Sequence, residues 1–319
     1  MVAIQNQTTT TDFILLGFTS IHSFQILIFP VLLAVYLLTV TGNMTIVTIT
    51  LLDRRLDTPM YFFLRNFSIL EIGFTSVVIP NTLNNLLSER KTISVVACFI
   101  QLYFYFQLGI TEFFLLALMS IDRYVAVCHP LQYSVVMNHR LCIHLMVWCW
   151  VGSFLCAVML IIMISQLPFC GPNVIDHFFC DNAPLFNLAC GDIHLFELIY
   201  FALVIIILLG TLIIVVISYA NIVSTVFHLP SAKERRKAFS TCSSHFIVVT
   251  MLYGSFFFLY AQPRQRNSMD ANKGVAILNT VVIPLLNPFI YSLRNKQVQQ
   301  ALREMNKRFC THHACCRAA

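Results

Sequence analysis

The stretch ALMSIDRYVAVCHPLQY, residues 117–133, closes an apolar run that begins near Val95 and carries an acid and a base side by side, Asp122 and Arg123. Charges are expensive in hydrocarbon, so any reading must account both for the greasy run and for the pair at its end. The run is long enough to cross a bilayer, for which about 20 mostly apolar residues suffice. The rest of the chain has the same character. Of 319 residues, 58% are hydrophobic and 11% charged, and the mean hydropathy is +0.78, whereas a water-soluble domain carries about a quarter charged residues. Composition identifies a membrane protein.

Outward from residues 117–133, the apolar runs resolve into seven spans: 24–52, 59–87, 96–128, 141–164, 197–227, 238–261 and 274–293. They are continuously apolar, which excludes a β-barrel with its period of two. The expected fold is an all-α membrane protein, one domain over 1–319. It comprises an external tail (1–23), a seven-transmembrane helical bundle (24–293) and a cytoplasmic helix and tail (294–319). No internal repeat or low-complexity segment stands out. The residues before Phe24 lack the basic start and cleavage site of a signal peptide, so the first span is expected to act as its own targeting signal.

Lys and Arg set the orientation. With the N-terminus outside, fifteen of the 20 basic residues fall on the cytoplasmic side, Arg54, Arg55, Arg123, Arg140 and the KERRK cluster (233–237) among them, and five fall outside. The net charge of +6 is thus mostly a topology signal, and nucleic-acid binding is a poor reading of it. Four of the twelve cysteines, Cys98, Cys170, Cys180 and Cys190, lie at or beyond the outer face, where disulfides persist. Four cysteines allow three pairings, and spacing does not choose among them. Asn6-Gln7-Thr8 is a glycosylation sequon in the external tail.

Seven spans serve receptors, retinal proteins and some transporters. A retinal protein needs a lysine buried in the last helix, and that helix has only Lys273 at its outer edge. A transporter is expected to show paired half-helices and a charged mid-membrane path, of which the sequence offers little. The motifs MSIDRYVAVCHPLQY (119–133), TPMYFFL (58–64), KAFSTCSSH (237–245), Ser218-Tyr219 and PLLNPFIYSLRN (284–295) together resemble the signature set of olfactory receptors, a branch of the rhodopsin-like G-protein-coupled receptors, over essentially the whole chain. Mild departures are Ser120 and Ile121 for the usual Ala and Tyr, Val127 for Ile, Asp57 for His and Glu71 for Asp.

What the resemblance implies is specific. Arg123, flanked by Asp122 and Tyr124, is a latch at the inner end of the third helix, paired with Asp122 when the bundle is closed and free to swing to other partners when it opens. Tyr219 and Tyr291 are the expected alternative partners, while His245, Asn287 and Pro288 belong to the same switch. The partners implied are a small-molecule odorant, a stimulatory, olfactory-type heterotrimeric G protein and membrane lipid, with cyclic AMP as messenger. The implied location is the ciliary plasma membrane of sensory neurons.

Glu71 and Glu112 stand near mid-span, Glu112 eleven residues and so about three turns above Arg123. Carboxylates at that depth demand compensation, by a shared proton or by a sodium ion with oxygens added from Asn43 and Asn287. No other cofactor or metal is expected. For the ligand, helical spacing gives one stripe on the third span (Leu102, Tyr105, Phe106, Gly109, Ile110, Phe113) and one on the sixth (Tyr253, Phe256, Phe257, Tyr260). Leu203, Val204 and Ile207 on the fifth span and Ile277 and Thr280 on the seventh face the same region. For any single residue ordinary helix packing is the blander reading; as a set these positions match where the family binds odorants. No acid stands at the level of Tyr105 to pair with an amine, which favours a neutral, mostly hydrophobic ligand.

By the same resemblance Cys98 pairs with Cys180 and Cys170 with Cys190, restraining the long loop 165–196 as a lid. After Asn295, Val298, Ala301, Leu302, Met305 and Phe309 recur at helical spacing among basic residues, an amphipathic helix for the inner leaflet. Cys310, Cys315 and Cys316 follow, as acylation sites or free thiols. No HExxH, Walker or nucleophile-elbow pattern occurs, so catalysis is not expected.

Overall fold

The computed structural model describes residues 12–18, 22–170, 172–261, 268–294 and 297–305. The long helices are α1 (His22–Leu52), α2 (Pro59–Leu87), α3 (Val95–Cys128), α5 (His139–Ser165), α7 (His194–Phe227) and α8 (Ala232–Ala261). The seventh span is composite: α9 (Ser268–Ile277), a π-helical turn (Leu278–Val282) and α10 (Ile283–Arg294). Two short helices, α4 (Tyr133–Val136) and α6 (Asn182–Leu188), lie in connections, and residues 297–305 form a last helix, α11.

Helices are the form these runs must take, because hydrocarbon offers the backbone no partner and an α-helix satisfies its amides within the segment. The polar residues inside the spans follow the same rule. Thr39, Thr50, Thr82 and Thr111 each donate their hydroxyl to the carbonyl four residues back, at 2.7–2.9 Å. Helix starts are marked locally, by Pro59 in the first turn of α2 and by Ser94 and Asn138, whose side chains accept from the amides of Ala97 and Leu141.

The span edges read from sequence agree within a few residues for the first five spans. The sixth differs: α8 starts at Ala232, below the expected 238, and only Cys242–Phe258 is apolar within it. Its first turns carry Lys233, Glu234, Arg235 and Arg236, so the helix continues past its apolar part, as helices do where their polar turns reach water.

α3 is the axis, packed against α2, α5 and α7. α1 and α7 lean on the outside with most of their surface open to the bilayer. α1 approaches α10 closely: a Cβ on Gly42 would stand 3.2 Å from the Pro288 ring, a contact tight enough that the ring would have to shift by a few tenths of an ångström. At the outer end, three strands make a small sheet in the order β2 (Thr92–Ser94), β1 (Asp12–Leu15), β3 (Val174–Ile175). β1 pairs antiparallel with β2 and parallel with β3, and its Phe13 and Leu15 are buried. The tail before the first span, expected as a plain extension, is therefore partly a strand of the lid.

Candidate functional site

Three groups of side chains line α3 from its inner to its outer end. At the inner tip Arg123 is buried and pairs with Asp122, through Nε at 3.1 Å and through one terminal nitrogen on the same carboxylate oxygen. The other Asp122 oxygen accepts from the Tyr133 hydroxyl at 2.7 Å. Burial first and the neighbouring Asp122 second hold the Tyr133 phenol well above its ordinary pKa, so it stays a donor. Sequence reasoning missed Tyr133, which lies eleven residues on in α4 and reaches back only because the inner loop folds under α3.

Of the expected alternative partners of Arg123, Tyr219 is engaged elsewhere and Tyr291 is not. Tyr219 stands 2.7 Å from His245 Nδ1, and His245 Nε2 is 3.1 Å from the Leu116 carbonyl. A carbonyl only accepts, so a neutral ring carries its proton on Nε2 and takes the Tyr219 proton at Nδ1. The imidazole thereby ties α8 to both α3 and α7. The Tyr291 hydroxyl is buried with no hydrogen-bond partner among the described residues, its ring edge-on to Phe67 at 6.1 Å. Tyr124 turns to the inner loop, its hydroxyl 3.1 Å from His129.

At mid-membrane, Glu71 is buried and accepts a hydrogen bond from Asn287 Nδ2. Glu112 is also buried. Asn43 donates to the Thr39 and Pro284 carbonyls at 3.0 and 3.2 Å, and the side-chain oxygens of Asn43 and Asn287 are buried without a partner among the described residues. Two carboxyl groups and two orphan oxygens suit a hard cation or a shared proton.

Toward the outer end the expected ligand residues divide. Phe113 packs edge-on against Tyr253 and Phe256, at 5.2 and 5.0 Å, and Ile207 joins the inner and outer clusters. Leu102, Phe106, Ile110 and Leu203 belong to the outer cluster, and Val204 is half-buried. Tyr105 turns away from α7: it stacks on Phe74 at 5.2 Å and meets lid residue Phe179 at 4.9 Å. Gly109 likewise faces Phe74. Ile277 packs under the lid and against the α1–α2 side, and the Thr280 hydroxyl is held by its own helix at Ala276. Phe257 is a correction to the stripe. It is 55% exposed, because only a narrow seam of α8 faces inward and the residue next to Phe256 is turned about 100° around the helix. The Tyr260 side chain, Asn6 and Cys310, Cys315 and Cys316 lie outside the described residues.

Sequence reasoning also missed a polar network on the other side of α3. Gln107 donates to Ser153 at 3.1 Å and accepts from Tyr103, while Thr111 and Ser153 share a bond of 2.7 Å. The three-residue-plus-one spacing of Gln107 and Thr111 was a visible signal; that Ser153 faces them was not.

The lid is tied down at several points. Cys98–Cys180 and Cys170–Cys190 are bonded, Gln101 accepts from the Cys180 amide at 3.0 Å and donates to Val77, and Lys273 pairs with Asp176 at 2.6 Å. His177 is stacked on Phe178 and edge-on to Phe179, with both ring nitrogens buried and unpartnered among the described residues. Burial and the Lys273 charge push it down to about 3, while burial pushes nearby Asp181 up to about 6.

Seven spans around a central third helix, with a disulfide from its outer end to the lid, are the fold of the rhodopsin-like G-protein-coupled receptors. Squid rhodopsin shares that fold with a TM-score of 0.70 at 17% identity, over 90% of this chain and 81% of that one. The particular family follows from sequence: the model of the olfactory receptor family matches residues 32–308. Olfactory receptor 6E1 of Mus musculus is 53% identical over 95% of this chain and 97% of its own. Olfactory receptor 6C75 of Homo sapiens is 51% identical over 95% and 97%. The chain belongs to the olfactory receptor family. It is a multi-pass membrane protein and not an enzyme.

Proposed function

We propose that the protein is an odorant receptor that holds a small, neutral, mostly hydrophobic volatile molecule in the outer half of the bundle, among Phe106, Ile110, Phe113, Ile207, Tyr253 and Phe256. Through the inner tip of α3 it activates a stimulatory, olfactory-type heterotrimeric G protein and raises cyclic AMP. The observation that carries this reading is that one rigid helix bears both ends of the device: apolar and aromatic side chains outside, and inside a buried Arg123 held by Asp122 and Tyr133. Packed helices move as units between discrete arrangements, so a ligand that repacks the outer end biases the inner one.

The chain sits with its N-terminus outside and its C-terminus in the cytosol, in the ciliary membrane of sensory neurons, where α11 lies along the inner leaflet. Glu71, Glu112, Asn43 and Asn287 would hold a sodium ion or one shared proton, whose loss on opening favours the active arrangement. The test is an odorant panel on cells with a cyclic AMP reporter. Arg123→Ala should reach the surface at wild-type level yet lose its response, and persistence at wild-type strength would refute the latch. In the same assay, sodium should lower basal output of the wild type but not of Glu71→Gln or Glu112→Gln; an unchanged sodium response in both removes the ion.

A further inference from the structure

α5 and α7 both lean on α3 and scarcely touch each other. The short helix α6 of the lid covers the gap from above, with Leu185, Phe186 and Leu188 buried against α5, but leaves it open at the side. There a narrow crevice, with about 10 Å³ of room for a water-sized sphere, is lined by Leu160, Met163 and Ile164 of α5, Phe186 of α6, and Phe196 and Tyr200 of α7. Its rim is membrane surface: Met159 and Ile162 on one side and Leu195 and Leu198 on the other are 40–65% exposed. Its floor is the wall of the ligand region, since Tyr200 meets Phe186 at 5.5 Å and Phe106 at 6.1 Å.

We propose that this crevice is a doorway through which neutral hydrophobic ligands pass sideways from the outer leaflet, with the Tyr200 and Phe186 rings as its leaf. The proposal rests on the ligand reading above. Size excludes a seat: ligand pockets commonly enclose about 300–1,000 Å³, whereas here a water-sized sphere finds only about 10 Å³, so the crevice is a closed seam that passes a ligand only when its leaf swings aside. Chemistry decides the class, because no lining side chain is charged and an ionised ligand would be stripped of water with nothing in return. Location decides the source, because each methylene favours the bilayer by roughly fourfold, so a volatile alcohol or ester is concentrated beside the opening. By contrast, the described residues on the water-facing side are cross-linked by the strand sheet, two disulfides and the Lys273–Asp176 pair.

The experiment is photolabelling of the full chain in phosphatidylcholine nanodiscs with 3-azioctanol, an eight-carbon diazirine alcohol, mapped by mass spectrometry. Adducts should concentrate on 160–167 and 186–200 at least fivefold above lipid-exposed Ile213 and Ile217, with a second set on 106–113. Met163→Trp, which fills the crevice, should lower both sets at least fivefold and leave Ile213 unchanged; Phe196→Trp serves the same end should that variant fail to fold. Crevice labelling no higher than at Ile213, or interior labelling that survives the filled crevice, would overturn the doorway. The readout needs no G protein, so a receptor silent to every odorant leaves it intact, and a responsive receptor with an unlabelled crevice sinks the doorway alone.

Discussion

Tyr133 owes its influence to a single bond. Its hydroxyl donates to the Asp122 oxygen that Arg123 does not use, so it holds the carboxylate in the orientation that keeps the arginine paired. A hydrogen bond to a charged group contributes about 1.5–3 kcal/mol when buried, and about 1 kcal/mol is a fair allowance at this half-buried position. Tyr133→Phe should therefore raise basal cyclic AMP by about fivefold at matched surface level while odorant efficacy is retained; a basal level within the wild-type range would show that the bond does not restrain the latch. His245 works differently, through two bonds that need opposite faces of one neutral ring. His245→Phe keeps the ring volume and loses both, and the same reporter should then read both a higher basal output and a smaller response.

At the level of elements, the lid contains two titrating groups whose effects oppose each other. His177, pushed from 6.5 down to about 3, is neutral in the docked lid but takes a proton once exposed. The stability it contributes is full above pH 6.5 and is lost as pH falls from there toward 3. Asp181, raised from 3.8 to about 6, is favoured in its protonated form when docked, so its contribution is present at low pH and lost as pH rises through the interval from 3.8 to 6. Between pH 7 and 5.5 the two nearly cancel, at roughly 1 kcal/mol each. Hydrogen-exchange protection of amides 174–181, corrected for intrinsic rates, should fall only about twofold from pH 7 to 5.5 in the wild type. Asp181→Asn should expose the histidine slope, with protection falling about eightfold on acidification. His177→Phe should expose the reverse, a rise of about fourfold; a flat profile in both variants would show that neither group is linked to lid docking.

The last helix poses a choice between charge and burial. Arg55 bridges Asp53 and Glu304 at 2.6 and 2.7 Å, and these hydrogen bonds raise its pKa, yet the guanidinium is solvated and exposed pairs contribute little. Val298 and Ala301, in contrast, are buried in the main core. Arg55→Ala should leave the melting temperature within about a degree, whereas Val298→Asp should lower it by several degrees or abolish surface delivery, since an unpaired charge is then forced into the core. Thermal unfolding of detergent-solubilised protein separates the two.

For the whole molecule, cross-links and packing divide the labour. Cys98–Cys180 spans 82 residues and Cys170–Cys190 spans 20, for which chain entropy gives about 4.5 and 3.3 kcal/mol. Cys98→Ser should cut surface delivery more deeply than the double change of Cys170 and Cys190 to Ser, read by immunolabelling of intact cells. Equal losses would mean that loop length is not what matters.

The seven spans were legible in the sequence because hydrocarbon imposes a length and a composition on each. The Asp122–Arg123 pair was legible because a charge in such a run has few reasons to exist, and the disulfide pairing only through family resemblance, since spacing leaves three choices. The β1 strand was not legible, because its partners are Lys91–Ser94 and Asn173–Ile175, distant in the chain and without a pattern of their own. Nor was Phe257's outward turn, since a stripe of apolar residues on a lipid-bathed helix reads the same whether it faces neighbours or lipid.

The sequence by itself determined that this chain is a bundle of seven membrane helices with a charged inner tip on the third. Only the tertiary structure decided that Tyr133 holds Asp122, that Gln107 and Thr111 meet Ser153, and that α5 and α7 scarcely touch. The reason is physical. Crossing a membrane is a demand each segment meets alone, through its own backbone and side chains, whereas a polar group's partner is chosen by how neighbouring helices rotate and approach, and that rotation is fixed by the packing of all seven together.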